Sequence, residues 1–168
     1  VSLTGGVSYY LPSVGTTAYS MHLFLTPSPL VVSSRQVRDA LLDEKSLQDV
    51  STMTEYADMS VVGIGAAVEG ATVLRNGILN EGELTVLKMQ GAVGDVLNHF
   101  MDKDGTLIKT EIEDRVISTD LDKLRQLKNV VGVAGGKDKV TAIKAVLNGG
   151  YLNVLITDSD TAAELLLS

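Results

Sequence analysis

Apolar residues come in short runs rich in Val and Ile, separated by stretches in which they recur three and four residues apart. Continuous runs of that kind suit strands covered on both faces of a parallel sheet, and the wider spacing suits amphipathic helices. The alternation predicts an α/β chain with a mostly parallel sheet flanked by helices. Residues 1–3 are expected to form a clipped strand that ends at Gly5-Gly6, and a second apolar run over 20–25 stops at the breaker Thr26-Pro27-Ser28-Pro29. Ser33 with Gln36 makes a capping box for a helix through Leu42, and Ser46 with Asp49 opens another that carries Leu47, Val50 and Ala57.

A strand is expected over 59–64, running into Gly65, and a helix over 81–90 that stops at Gly91, a natural left-handed terminator. Asp102-Lys103-Asp104-Gly105 lies between stretches at 93–101 and 106–108, and its Asp-Gly pair predicts a small hairpin-like excursion from the parallel sheet. There follow a short helix over 121–127, a buried strand over 130–134, a break at Gly135-Gly136 and a helix over 137–147 ended by Asn148-Gly149-Gly150. A strand over 152–156 and a helix over 161–167 complete the pattern. Right-handed crossovers put the glycine loops at the carboxyl edge of the sheet, where open α/β sheets take their ligands.

Composition narrows the function classes. With 168 residues, 45% of them apolar, the chain can bury one sizeable core as a single domain. A formal net charge of −7 repels the phosphate backbone, which excludes nucleic acid as a direct partner of these residues. The absence of cysteine removes disulfides, thiolate chemistry and cysteine-ligated metals, and fits a reducing compartment. No signal-peptide pattern and no apolar run near the ~20 residues of a membrane helix is found, so a soluble, cytoplasmic chain is expected. It begins at Val1, inside an apolar segment and without methionine, as an internal fragment would.

Several motifs fall short of the chemistry they suggest. Gly63-Ile64-Gly65-Ala66-Ala67-Val68 opens like a dinucleotide fingerprint, but Val68 stands where the third glycine is required and no helix pattern follows; a tight strand-end turn accounts for it. Residues 132–137 fail as a nucleotide-triphosphate loop, because the glycines are too close and Asp138 follows Lys137 where a hydroxyl would hold magnesium. No cofactor is expected. Asp102-Lys103-Asp104-Gly105 starts like a calcium loop, yet its glycine comes two positions early, and a hairpin turn explains the same residues. His22 and His99, the only histidines, lack metal-ligand spacing, so no metal is expected either.

Two constellations keep a functional reading open. Gly135-Gly136-Lys137-Asp138-Lys139 combines glycines that let a backbone approach an anion, a helix start with free N–H groups, and lysines that oppose the helix dipole; two solvated lysines in a first helical turn account for it too. Asp95 lies in an apolar setting with His99 four residues on. On a helix they would form an acid/base pair; on a strand they separate, leaving a carboxylate that accepts hydrogen bonds from sugar hydroxyls.

Taken together, the block from Gly91 through Gly94-Asp95-Val96 and His99 to Asp102, then Arg115-Val116-Ile117, Val131-Gly132-Val133-Ala134-Gly135-Gly136-Lys137-Asp138-Lys139 and Asn153-Val154-Leu155-Ile156-Thr157-Asp158 resemble the effector-binding domain of SorC/DeoR-type sugar-responsive regulators. The likeness continues upstream through Val62-Gly63-Ile64-Gly65, Leu74-Arg75-Asn76-Gly77 and Leu3-Thr4-Gly5-Gly6, so it spans nearly the whole chain. It implies a fold similar to those of sugar-phosphate isomerases and glucosamine-phosphate deaminases. It also implies a phosphorylated sugar as effector, a homo-oligomer of two or four copies, and operator DNA contacted through an N-terminal helix-turn-helix that is absent from these residues.

By motif position the resemblance makes Lys139 a phosphate or ligand contact, Asp95 the acidic reader of hydroxyls, Arg75 an anion contact, Gly135 and Gly136 part of the phosphate loop, and Gly5 and Gly6 part of the pocket floor. The connection between Gly6 and Leu25 is shorter than in the family, so no role is carried onto Tyr9, Thr16 or Thr17. The chain is expected to bind rather than to catalyse. The alternatives are an isomerase or deaminase of the same fold, with Asp95 as base and His99 as helper, and a platform for oligomerisation.

Overall fold

The computed structural model describes residues 1–6 and 23–167. Five strands form one sheet in the order β3-β2-β1-β4-β5: β1 (Ser60–Ala66), β2 (Gly94–Val96), β3 (His99–Met101), β4 (Val130–Val133) and β5 (Val154–Ile156). β1, β4 and β5 are parallel, with Ser60 opposite Val130 and Val131 opposite Val154, whereas β2 and β3 are antiparallel to their neighbours. The α/β class is as expected, but parallel pairing is confined to one half of the sheet.

The hairpin excursion is present at the Asp-Gly turn, and a further tight turn precedes it where no such signal stands. Val96 pairs with His99 across a two-residue link, Leu97 and Asn98, both with positive φ (55° and 66°). This is the left-handed geometry that suits the twist of a two-residue hairpin. Asp102–Gly105 makes a second turn: Asp102 Oδ1 accepts from the amides of Asp104 and Thr106, each at 2.9 Å, and Met101 bridges to Leu107.

The helices follow the pattern with shifted ends. In α1 (Arg35–Leu42) the capping hydroxyl is Ser34, which accepts from the Val37 amide, instead of Ser33. The second helix, α2 (Lys45–Glu55), starts after Glu44 with no side-chain cap, so the box at Ser46 and Asp49 is not formed. A four-residue helix, α3 (Thr72–Arg75), stands where no helical pattern was legible. The capping box belongs to α4 (Glu81–Met89), where Asn80 accepts from the Glu83 amide and Glu83 returns the bond at 2.9 Å. α5 is Leu121–Leu124; a 3₁₀ turn, Lys137–Lys139, leads into α6 (Val140–Asn148), and α7 is Ser159–Leu167. Residues 1–3 do not join the sheet: Thr4 bridges to Ser118, and the Thr119 amide donates to the Leu3 carbonyl.

α6 lays Ala142, Ile143, Ala145 and Val146 on the sheet face that carries Val62, Ile64, Ala66 and Val96. Burial of side chains such as Ile143 and Val146 stabilises the fold by roughly 1.5–3 kcal/mol each. A second cluster around Phe100, Leu84, Leu87 and Val116 sits on the opposite side of the hairpin. Over β1, β4 and β5 that opposite face is open: Val61, Val133, Val154 and Ile156 are between 45% and 61% exposed, so these strands are not covered on both faces as their apolar runs suggested. No described helix is long and apolar enough to cross a membrane.

Gly94 lets the hairpin lie against α6, because a Cβ there would overlap Ala142 Cβ and approach the Gly65 carbonyl oxygen at 2.6 Å. Gly94→Ala is expected to destabilise the chain by about 1–3 kcal/mol in urea unfolding; a loss below a few tenths would mean that α6 does not clamp β2.

Candidate functional site

β1 ends in Gly63-Ile64-Gly65-Ala66, and alternate residues of a strand face the same side. Gly63 and Gly65 thus leave a depression at the carboxyl end of the strand, on the open face. A cavity of about 620 Å³ lies there, walled by Gly65, Thr72, Arg75, Asp95, Asn98 and Lys139 among others. Three of the side chains singled out in the sequence, Arg75, Asp95 and Lys139, therefore meet at one place although 64 residues separate the first from the last.

Asp95 is the buried member. It pairs with Gly65 across β2 and β1, and a Cβ on residue 65 would overlap its carboxylate, so glycine is what admits the side chain. Its Oδ2 accepts from the Asn98 amide at 3.1 Å, a bond that the left-handed turn makes possible. Burial pushes the Asp95 carboxyl up to about 6, against the lowering effects of the Asn98 amide and of the charges of His99 and Lys139.

Lys139 closes the 3₁₀ turn and extends its ammonium to the Ile64 carbonyl at 2.8 Å, which brings a cation to the end of β1. Arg75, at the end of α3, is exposed and steadied by a 3.1 Å bond from Nη2 to the Thr72 hydroxyl. The cavity wall thus carries two cations, Arg75 and Lys139, the buried Asp95 carboxyl, the Asn98 amide side chain and two further carboxylates, Glu69 and Asp138. That set can hold an anionic group and hydroxyls together.

The glycines have other neighbours. Gly5 and Gly6 donate their amides to the carbonyls of Ile117 and Ser28, and a Cβ on Gly5 would overlap the Pro29 carbonyl; from this segment the cavity wall takes Thr4. The Gly136 amide is directed at Thr161 Oγ1 (2.7 Å) and Asp158 Oδ2 (3.1 Å), so a carboxylate of the chain itself sits at that loop.

His99 does not meet Asp95 as a dyad. It pairs with Val96, and alternation along the hairpin turns it to the other face, where Nδ1 lies 2.8 Å from Glu113 Oε1 and Nε2 3.0 Å from the Thr119 carbonyl. His22, Tyr9, Thr16 and Thr17 lie outside the described residues. Thr72 and Asn98 went unnoticed in the sequence; a hydroxyl in a four-residue helix carries no pattern, whereas Asn, which tolerates positive φ, was a usable signal.

A larger cleft, about 960 Å³, opens beside Gly149 and Tyr151, ahead of β5. Two of its cations are engaged within the cleft: Arg125 pairs with Asp122 at 2.8 Å and stacks 4.4 Å above the Tyr151 ring, and Lys123 pairs with Glu55 at 2.7 Å. It is larger, but Arg75, Asp95 and Lys139 line the carboxyl-edge cavity and not this cleft.

The family model described as "Putative sugar-binding domain" matches residues 1–167. The chain is 41% identical over 169 residues to the transcriptional regulator LsrR of Klebsiella pneumoniae, covering 99% of this chain and 52% of that protein. To the Escherichia coli K12 regulator of the same name it is 38% identical over 171 residues, covering 100% and 54%. It spans about half the length of these curated relatives. Among solved structures, a probable sor operon regulator from Shigella flexneri superposes with a TM-score of 0.81 at 26% identity, covering 98% of this chain and 67% of that one. A DeoR family regulator from Listeria monocytogenes gives 0.80 at 28% identity, covering 84% and 57%.

Burial of the Asp95 carboxyl makes the fold's stability depend on pH. A carboxyl that titrates higher in the fold than in the unfolded chain stabilises fully below the unfolded value of 3.8, and the contribution is lost as pH rises through about 6. Asp95→Asn should therefore be more stable than the parent at pH 7.5, by at most about 3 kcal/mol, with the gap shrinking toward pH 4. Equal gaps at pH 4.5 and 7.5 in chemical denaturation would show that Asp95 is not desolvated.

Proposed function

The chain belongs to the family of sugar-binding domains of bacterial transcriptional regulators, and from that premise we propose that its carboxyl-edge cavity takes a phosphorylated sugar as effector. Arg75 and Lys139 neutralise the phosphate, and Asp95 and Asn98 read the hydroxyls. The observation that carries this reading is the convergence of two cations and one buried carboxyl on a glycine-floored cavity of about 620 Å³. That volume falls within the range of small-molecule sites. Gly5, Gly6, Gly135 and Gly136 shape the surrounding loops.

In the whole regulator the effector acts in the cytoplasm on a homo-oligomer whose helix-turn-helix domains hold operator DNA. A ligand that prefers one arrangement of subunits shifts DNA binding by that preference and no more. Catalysis as an isomerase or deaminase is not favoured, because the proton-transfer partner it assigns to Asp95, His99, lies on the opposite face of the hairpin, bonded to Glu113 and Thr119.

In calorimetry of the full-length regulator against pentose and hexose phosphates, Lys139→Ala is expected to weaken binding by about 1.5–3 kcal/mol. Binding of the unphosphorylated sugars as tightly as their phosphates would remove the phosphate from this reading, and unchanged affinity in the variant would remove Lys139 from the site.

A further inference from the structure

The loop that presents Lys139 is tied to the start of α7 by a continuous set of bonds. Thr161, 1% exposed, donates its hydroxyl to Asp158 Oδ2 at 2.7 Å and receives the Gly136 amide at 2.7 Å. Asp158 Oδ1 accepts the Thr161 amide at 2.8 Å, while Oδ2 also faces the Gly136 amide at 3.1 Å. The Gly136 carbonyl in turn accepts the Lys139 amide at 2.9 Å, which closes the 3₁₀ turn, and the Lys139 ammonium reaches Ile64.

Both glycines serve this arrangement. A Cβ on Gly135 would overlap the Asp158 carboxylate, and Gly136 adopts φ 108°, which L side chains rarely take. The bonds from Thr161 and Gly136 also hold the Asp158 carboxyl below the usual carboxylate range. Asp158 therefore stays charged through neutral pH, and the loop keeps its partner.

We propose that Asp158 and Thr161 are positioning residues for the effector site: they fill the Gly135-Gly136 turn with a carboxylate and a hydroxyl of the chain itself and thereby aim Lys139 at the end of β1. The glycine loop then acts as a mount for the lysine, and the effector's anion meets Lys139 and Arg75 instead of the Gly136 amide. This extends the reading of Lys139 as a ligand contact, but the clamp can be tested without ligand.

The ammonium of Lys139, hydrogen-bonded to a carbonyl, is expected to give a protected side-chain signal in ¹⁵N NMR of the chain. Thr161→Val, which keeps the shape and removes the hydroxyl, should accelerate ammonium exchange about tenfold, and Thr161→Ser should restore the parent rate. A purely structural Thr161 would lower the melting temperature in the valine variant with the Lys139 signal unmoved, and that outcome overturns the proposal. Because no effector is added, failure here is distinct from failure to bind a sugar phosphate.

Discussion

A carboxyl group withdrawn from water needs room and a donor, and in this chain both come from backbone. Gly65 supplies the room, since any side chain there would occupy the space of the Asp95 carboxylate. The Asn98 amide supplies the donor, which faces the carboxylate because the hairpin turns through two left-handed residues. The register that sets Gly65 opposite Asp95 also sets Ile64 opposite Val96 on the covered face. A one-residue slip would expose Ile64 and bury the aspartate in the core, so the sheet's hydrophobic pattern and the site's electrostatics are specified by the same pairing.

The rest of the site is arranged around that pairing. α6 lies close over Gly94, which places its 3₁₀ lead-in, and hence Lys139, at the end of β1. The lysine's bond to the Ile64 carbonyl joins the two elements. Opposite it, Arg75 is exposed to solvent and, among the described residues, bonds to Thr72 of its own helix. One cation is thus anchored to the sheet and the other stands in solvent at the cavity's rim.

The open face of β1, β4 and β5 belongs to the same geometry. Glycines at 63 and 65 leave no side chains to pack, and the cavity occupies that bare strip while Val61, Val133, Val154 and Ile156 flank it in solvent. On the other face every position is large or tightly fitted, and α6 covers it. The two sides of one sheet are therefore divided between a packed core and an open cavity.

Local patterning alone was enough to identify the α/β class, the helix ended by Gly91, strands expected over 59–64, 130–134 and 152–156 that lie within two residues of the observed ones, and the family resemblance that singled out Arg75, Asp95 and Lys139, because apolar periodicity, turn residues and short motifs act over a few positions. Tertiary structure decided what depends on distant partners. It turned His99 away from Asp95, since strand alternation sends neighbours to opposite faces. It added a tight turn at Leu97 and Asn98 to the Asp-Gly turn over 102–105 that the pattern had marked, because the pairing of Val96 with His99 is fixed by sheet register. It gave the Gly136 amide to Asp158 and Thr161, more than twenty residues away, a pairing that no spacing along the chain encodes.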